Sequence, residues 1–211
     1  MSASLAVYHC EPLQLALIQH YGGPTRLLDF TESIYISAFF AMENATQNSA
    51  IWALNEEYLW QHTDNVVHEN ETLYDLEKRG RNVVEKNISG KHSQKIVMMA
   101  TPERLNERIS VQQGVFVIPG DLNYSFIENL EETFSFSLKE LHKISLLNPT
   151  DIHEIADIDC LEAEIVKIVL PVEIYNSALY DLDKMNINAA TLFPGLEGFA
   201  RSLSKHLRDA D

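Results

Sequence analysis

The segment QHYGGPTRLLDFTES (19–33) combines several groups that can bind or polarise a ligand. Arg26 is the only lysine or arginine among the first fifty residues, and its planar guanidinium suits a pyrophosphate. Tyr21 can stack on an aromatic ring of a ligand, and His20 can hydrogen-bond a hydroxyl. These groups could together bind a ligand that carries an anionic group, an aromatic ring and hydroxyls, and His20 and Tyr21 are the candidate catalytic residues of this segment.

Neighbouring residues extend this candidate site. Backbone N–H groups at glycines can approach an amide or a phosphate closely, which makes Gly22 and Gly23 candidate ligand-binding residues. The polar side chains of Thr25 and Asp29 complete the predicted binding set in this segment. All these residues lie at a predicted junction of two helices.

A second polar pair, Gln112 and Gln113, lies in VQQGVFVIPG (111–120), which predicts a strand ended by Pro-Gly. Because side chains alternate along a strand, only one of the two is expected to face a site. Gln113 is the candidate for catalysis and Gln112 for binding. A glutamine cannot act as a general base, so Gln113 would position and polarise.

Each residue also has a structural alternative. Arg26 and Asp29 stand three apart and can pair to brace the loop. His20 completes an apolar helical stripe as a core histidine would, and Tyr21 can be a packing aromatic. Asp29 can cap the second helix, and both glutamines can be structural.

The composition excludes several classes of function. The chain carries 16 basic and 31 acidic residues, a net charge of −15, which argues against a long groove that follows nucleic-acid phosphates. Two cysteines give no disulfide framework, and neither a signal peptide nor a membrane span is expected, so we predict a cytoplasmic protein. No metal-ligand spacing, nucleophile elbow or phosphate-binding loop is present, and we predict no metal.

The predicted elements mix helices and strands without strict alternation, which favours an α+β fold. Apolar spacing predicts helices over Pro12 to about Tyr21, about Glu32 to Asn44, the segment after Pro171, and from Leu196 onward. Strands are predicted at 49–55, 94–100, 111–120, 133–139 and 164–171. The polar stretch 56–94 is predicted to be a surface excursion, with helical patches around Leu73 to Arg79.

The segment LALIQHYGGPTRLLDFTESIYISAFFA (15–41) resembles the signature of the FRG domain, a mostly bacterial family. SAIWALN (49–55), RISVQQGVFVIPG (108–120), KIVLP (167–171) and MNINAATLFPGLEGFARSL (185–203) resemble later parts of the family in the expected order. The family's Phe/Tyr-Arg-Gly motif does not occur upstream of residue 19. We therefore expect 1–211 to form one FRG-like domain that lacks its N-terminal strand.

The resemblance implies an ADP-ribosyltransferase-like mixed sheet core flanked by helices, with NAD as substrate. It also implies that the three catalytic positions fall on the missing strand, within 20–31, and at Gln112 or Gln113. The expected function is transfer of ADP-ribose to a nucleic acid or a protein, as a bacterial toxin or anti-phage effector, with an antitoxin or another protein as a possible partner. The alternatives are a catalytically inactive FRG module that binds a nucleotide or a protein, and a purely structural module.

Overall fold

The computed structural model describes residues 12–67, 94–100, 107–135, 144–145 and 164–208, and the chain forms two compact units. The described part of the first unit comprises 12–29, 55–67, 94–100 and 115–135. The described part of the second unit comprises 30–54, 107–114, 144–145 and 164–208. The expectation of a single domain over 1–211 stays a prediction.

Helices and strands are mixed along the chain, which confirms the α+β class. The helices are α1 (Pro12–His20), α2 (Ile34–Met42), α3 (Glu56–Val67), α4 (Glu107–Val111), α5 (Phe126–Thr133), α6 (Tyr175–Lys184), α7 (Ala189–Leu192) and α8 (Leu196–Arg208). The strands are β1 (Leu28–Thr31), β2 (Ser49–Leu54), β3 (Val97–Ala100), β4 (Gly114–Pro119), β5 (Ile144–Ser145) and β6 (Ile165–Leu170). A 3₁₀ turn, Val172–Ile174, precedes α6.

The strands form two small sheets. The first has the order β1-β4-β3, and β3 runs antiparallel to β4 with Val97 opposite Pro119. The second has the order β2-β6-β5. Its central strand β6 is antiparallel to β2 and parallel to β5, so this sheet is mixed.

The core of the first unit contains a fully buried polar side chain, Asn129 on α5. The Asn129 amide oxygen accepts from the backbone N–H of Asp121, and its Nδ2 donates to the carbonyl oxygens of Asp121 and Ser125. One turn later, the buried Thr133 hydroxyl donates to the Asn129 carbonyl and accepts from the backbone N–H of Val97. These bonds fix the ends of β3 and β4 to α5.

The core of the second unit is apolar and joins α2, β2, β6, α6 and α7. Its buried members are Ile36, Phe39, Met42, Ile51, Leu170, Tyr175, Leu182, Ala189, Leu192 and Phe193. The hydroxyl of Tyr175 donates to the carbonyl oxygen of Gln47 at 2.7 Å, which places the polar tip of this ring at the edge of the core.

Several predicted elements are confirmed. Helix α1 and helix α2 lie inside their predicted ranges, and the strand predictions at 49–55, 94–100 and 164–171 match β2, β3 and β6. The short helix α7 is capped by Asn188.

Two strand predictions were wrong in part. Val111 ends α4 and the two glutamines form a turn, so the strand predicted over 111–120 begins only at Gly114. Thr133 ends α5 rather than beginning a strand, and residues 136–139 lie outside the described part. The start of the predicted excursion is the helix α3, whereas its predicted patches around Leu73 to Arg79 lie outside the described residues. No helix in the described ranges is both long and apolar enough to cross a membrane.

Candidate functional site

The C-terminal end of α1 is closed by its two glycines. The backbone N–H of Gly23 donates to the carbonyl of Ile18 at 2.8 Å, and that of Gly22 donates to the carbonyl of Gln19 at 2.9 Å. Gly22 has a φ of 80°, the left-handed conformation that this capping arrangement, the Schellman motif, requires. The turn therefore forms because a Gly-Gly pair follows an apolar helical stretch.

This cap changes the role predicted for the glycines. Their N–H groups are used within the helix end, and a helix C-terminus carries a partial negative charge that disfavours a phosphate. In this conformation, Gly22 and Gly23 shape the loop and do not offer donors to a ligand.

The loop after the cap is held by a network of polar side chains. Gln19 Nε2 donates to Asp29 Oδ1 at 2.8 Å, and the hydroxyl of Thr25 donates to Gln19 Oε1. The same hydroxyl accepts from the backbone N–H of Leu27 at 3.3 Å. Leu27 is buried, so these bonds fix the loop where it enters the core. Gln19 is the central residue of this network.

Arg26 lies outside this network and is exposed. Asp29 is hydrogen-bonded by the neutral amide of Gln19, and no ion pair joins Arg26 and Asp29 among the described residues. The brace that the spacing of these two residues suggested is thus formed by Gln19 instead. Tyr21 is 83% exposed, which does not fit the alternative that it is a packing aromatic. The side chain of His20 lies outside the described part.

Asp29 does not cap the second helix. The hydroxyl of Ser33 accepts from the backbone N–H of Ile36, and Ser33 is the N-cap of α2. The hydroxyl of Thr31 accepts from the backbone N–H of Ser33, which supports the same helix start. Ser33, and not Asp29, therefore caps this helix.

Gln112 and Gln113 belong to the second unit, where they form the turn between α4 and β4. Gln112 Nε2 donates to the carbonyl of Leu192 at 2.8 Å, and the carbonyl of Gln112 accepts from the hydroxyl of Thr31 at 2.8 Å. Gln113 has a φ of 48° and an exposed side chain. Gln112 is therefore a structural link to α7, whereas the side chain of Gln113 faces outward from its turn.

Sequence reasoning missed Gln19. Its signal was its position, one residue before the last residue of α1, because a long amide side chain there can reach over a loop that begins with Gly-Gly. No three His, Cys, Asp or Glu side chains of the described ranges lie close enough together to hold a metal ion.

The fold and this loop define an α+β protein whose first helix ends in a rigid glycine cap, followed by an outward-facing arginine. A family model described as the FRG domain matches residues 4–50, a range that includes α1, the loop and α2. The match confirms the resemblance for this part of the chain, whereas the resemblance of the later segments stays a prediction. Comparison with curated proteins gives no match, and comparison with solved structures gives none.

Proposed function

We propose that this protein binds NAD, with the guanidinium of Arg26 on the pyrophosphate and the ring of Tyr21 beside a base. The observation that carries the proposal is that the loop residues Gln19, Thr25 and Asp29 satisfy one another and leave Arg26 exposed. Because these hydrogen bonds already hold the loop backbone, binding of an anion would have to order mainly the side chain of Arg26.

The proposed reaction is transfer of ADP-ribose, and it rests on the resemblance to the FRG family. In that reaction the bond between C1 of the ribose and the nicotinamide nitrogen breaks, and nicotinamide leaves with the bonding electrons. A nucleophile on a nucleic acid or protein acceptor forms the new bond to C1 and loses its proton to water. His20 and Tyr21 are the candidate catalytic residues of the loop, and Gln113 is a candidate by the family resemblance alone.

Binding is tested by thermal unfolding with and without NAD. Ligand at about 100 times its dissociation constant should stabilise the wild type by about 2.7 kcal/mol. Arg26→Ala should keep the circular dichroism spectrum of the wild type and lose the stabilisation by NAD. Arg26→Lys should keep part of that stabilisation, because the positive charge remains but the planar guanidinium is lost. Lys184→Ala is the matched control, since Lys184 is an exposed cation on α6 whose partners, Asp181 and the ring of Tyr180, lie on the same helix.

Catalysis is tested by measuring nicotinamide released from NAD by the wild type and by Arg26→Ala. We expect the wild type to release nicotinamide, and we expect Arg26→Ala to release it at least tenfold more slowly. If NAD stabilises the protein but no nicotinamide is released, the proposed binding stands and the proposed reaction is overturned. The absence of both effects would overturn the proposal as a whole.

The second candidate is a catalytically inactive FRG module that binds a nucleotide or a protein partner. The chemistry of Gln113 favours it, because a neutral amide cannot take the proton of the acceptor. The nicotinamide assay separates the two candidates.

The proposed setting is bacterial conflict, as a toxin or an anti-phage effector inside the cell, with an antitoxin as partner. It rests on the family resemblance alone. Expression in bacteria should slow growth if the protein is a toxin, and Arg26→Ala should relieve the effect.

A further inference from the structure

We infer that Gln19 is a positioning residue that keeps Arg26 available for an anion by holding Asp29 away from it. This inference rests on the proposed function of Arg26. The structure shows Asp29 Oδ1 bound to Gln19 Nε2 at 2.8 Å, while Arg26, three residues earlier, is exposed and has no partner among the described residues.

Asp29 is a natural competitor for Arg26. Three residues span at most about 10 Å, and an arginine side chain is long and flexible enough to cover much of that distance. An ion pair between them would neutralise the one guanidinium that the loop presents. The pair would be an exposed one and hence weak, so a hydrogen bond that holds the Asp29 carboxylate in another position can outweigh it.

The side chain of Gln19 acts both as a hydrogen-bond donor and as an acceptor. Its amide nitrogen donates to Asp29, and its amide oxygen accepts from the hydroxyl of Thr25. An ionised glutamate could only accept, and a lysine could only donate and would add a second cation beside Asp29. An amide restrains the carboxylate of Asp29 without adding charge and at the same time fixes the turn that carries Arg26.

The test is a double-mutant cycle of Gln19→Ala and Asp29→Asn, with NAD affinity measured by calorimetry at low ionic strength. When Asp29 is kept, Gln19→Ala should weaken NAD binding about three- to fivefold, in line with the strength of an exposed ion pair. When Gln19→Ala is combined with Asp29→Asn, it should alter the affinity less than twofold, since no carboxylate is left to capture Arg26.

The matched control is Gln61→Ala in the same unit. Gln61 Nε2 also donates to a carboxylate, Glu57 Oε1, at 3.1 Å, but this pair lies on α3 and not on the loop. Its removal should leave NAD affinity unchanged. If Gln19→Ala weakens binding equally with and without Asp29→Asn, Gln19 merely supports the loop, and the inference is overturned.

A second measurement is independent of NAD. Phenylglyoxal modifies free guanidinium groups, and mass spectrometry of the peptide containing Arg26 gives its rate of modification. Gln19→Ala should slow the reaction about three- to fivefold because Asp29 then pairs with Arg26, and Asp29→Asn should abolish this slowing. A loop that is only loosened would react at the same rate or faster, which would contradict the inference.

The two readouts separate the possible failures. If the modification rates follow the prediction but NAD does not bind the wild type, the proposed function fails and the positioning role stands. If NAD binds through Arg26 but neither readout depends on Asp29, the positioning role fails and the proposed function stands.

Discussion

At the scale of single residues, the polar side chains of the FRG-like segment serve two purposes. Gln19, Thr25 and Asp29 are engaged with one another, so their chemistry is used to fix the loop. Tyr21 and Arg26 are exposed on the same loop. Asp29 is exposed as well, but its carboxylate already accepts a hydrogen bond from Gln19.

Asn129 is another polar side chain whose hydrogen bonds hold neighbouring segments, here in the core of the first unit. Its replacement gives a testable prediction. Asn129→Ala should lower the free energy of unfolding by about 2–3 kcal/mol, because it removes an amide that makes three hydrogen bonds, two of them to the backbone of Asp121. Urea unfolding followed by fluorescence measures the loss. Asn176→Ala, at an exposed site on α6, is the control and should change stability by less than about 0.5 kcal/mol.

At the scale of elements, the cap of α1 depends on both glycines for different reasons. A Cβ at Gly22 would meet no atom within 4 Å, so only its φ of 80° resists substitution. A Cβ at Gly23 would lie 2.9 Å from the carbonyl oxygen of Ile18, the acceptor of the capping bond itself.

Gly22→Ala should therefore cost about 1 kcal/mol through backbone strain. Gly23→Ala should cost about 2 kcal/mol or more, because the helix end must shift to relieve the contact. Both values come from urea unfolding of the variants. A smaller loss for Gly23→Ala than for Gly22→Ala would show that the cap is not formed as described.

Helix α5 begins with a capping box that gives a pH prediction. The side-chain and then the backbone hydrogen bond from Ser125 lower the pKa of Glu128 below its ordinary value of 4.5. A carboxyl with a lowered folded-state pKa stabilises the protein above its unfolded pKa, and this contribution disappears as the pH falls through the folded value.

We therefore expect wild-type stability to exceed that of Glu128→Gln at pH 6 and the difference to shrink as the pH falls below 4.5, the ordinary value for Glu128. Unfolding by urea between pH 3 and pH 7, chosen to bracket that value, measures the difference. A difference for Glu128→Gln that does not change with pH would contradict the prediction.

Sequence patterns predicted most elements whose structure is set locally. The apolar spacing and the Gly-Gly pair were sufficient for α1 and its end, and the periodicity of α2 was sufficient for that helix. The errors involve partners that are distant in sequence. Gln112 lies in a turn and not in the predicted strand, where it is hydrogen-bonded to Leu192 and Thr31. Thr133 lies in a helix and not in the predicted strand, and its hydroxyl accepts from the backbone N–H of Val97.

The candidate site was predictable in type but not in detail. The sequence predicted a polar loop with Arg26 as its cation, and it did not predict which group would hold the nearby carboxylate of Asp29. This depends on the reach of Gln19 across the turn, which is a geometric property of the folded loop. The sequence spacing alone favoured an Arg26–Asp29 brace equally well.

At the scale of the whole molecule, the net charge of −15 affects how NAD, itself an anion, would approach. Long-range repulsion is screened when the Debye length shrinks from about 30 Å at 0.01 M salt to about 8 Å at 0.15 M. Stopped-flow measurements should therefore show a faster association rate at the higher salt concentration. A rate that falls with salt would mean that local attraction by Arg26 dominates.

The second sheet has a consequence for synthesis of the chain. Its central strand β6 pairs along its length with β2, so that Leu170 stands opposite Ser49. During translation β2 leaves the ribosome long before β6 has been synthesised. Until then its backbone N–H and C=O groups have no strand to pair with, and its apolar side chains stay exposed. We expect a ribosome-bound chain that stops before Ile165 to bind chaperones and to be cut readily by proteases. A chain that extends past Leu170 and is released should bind chaperones less and resist proteolysis.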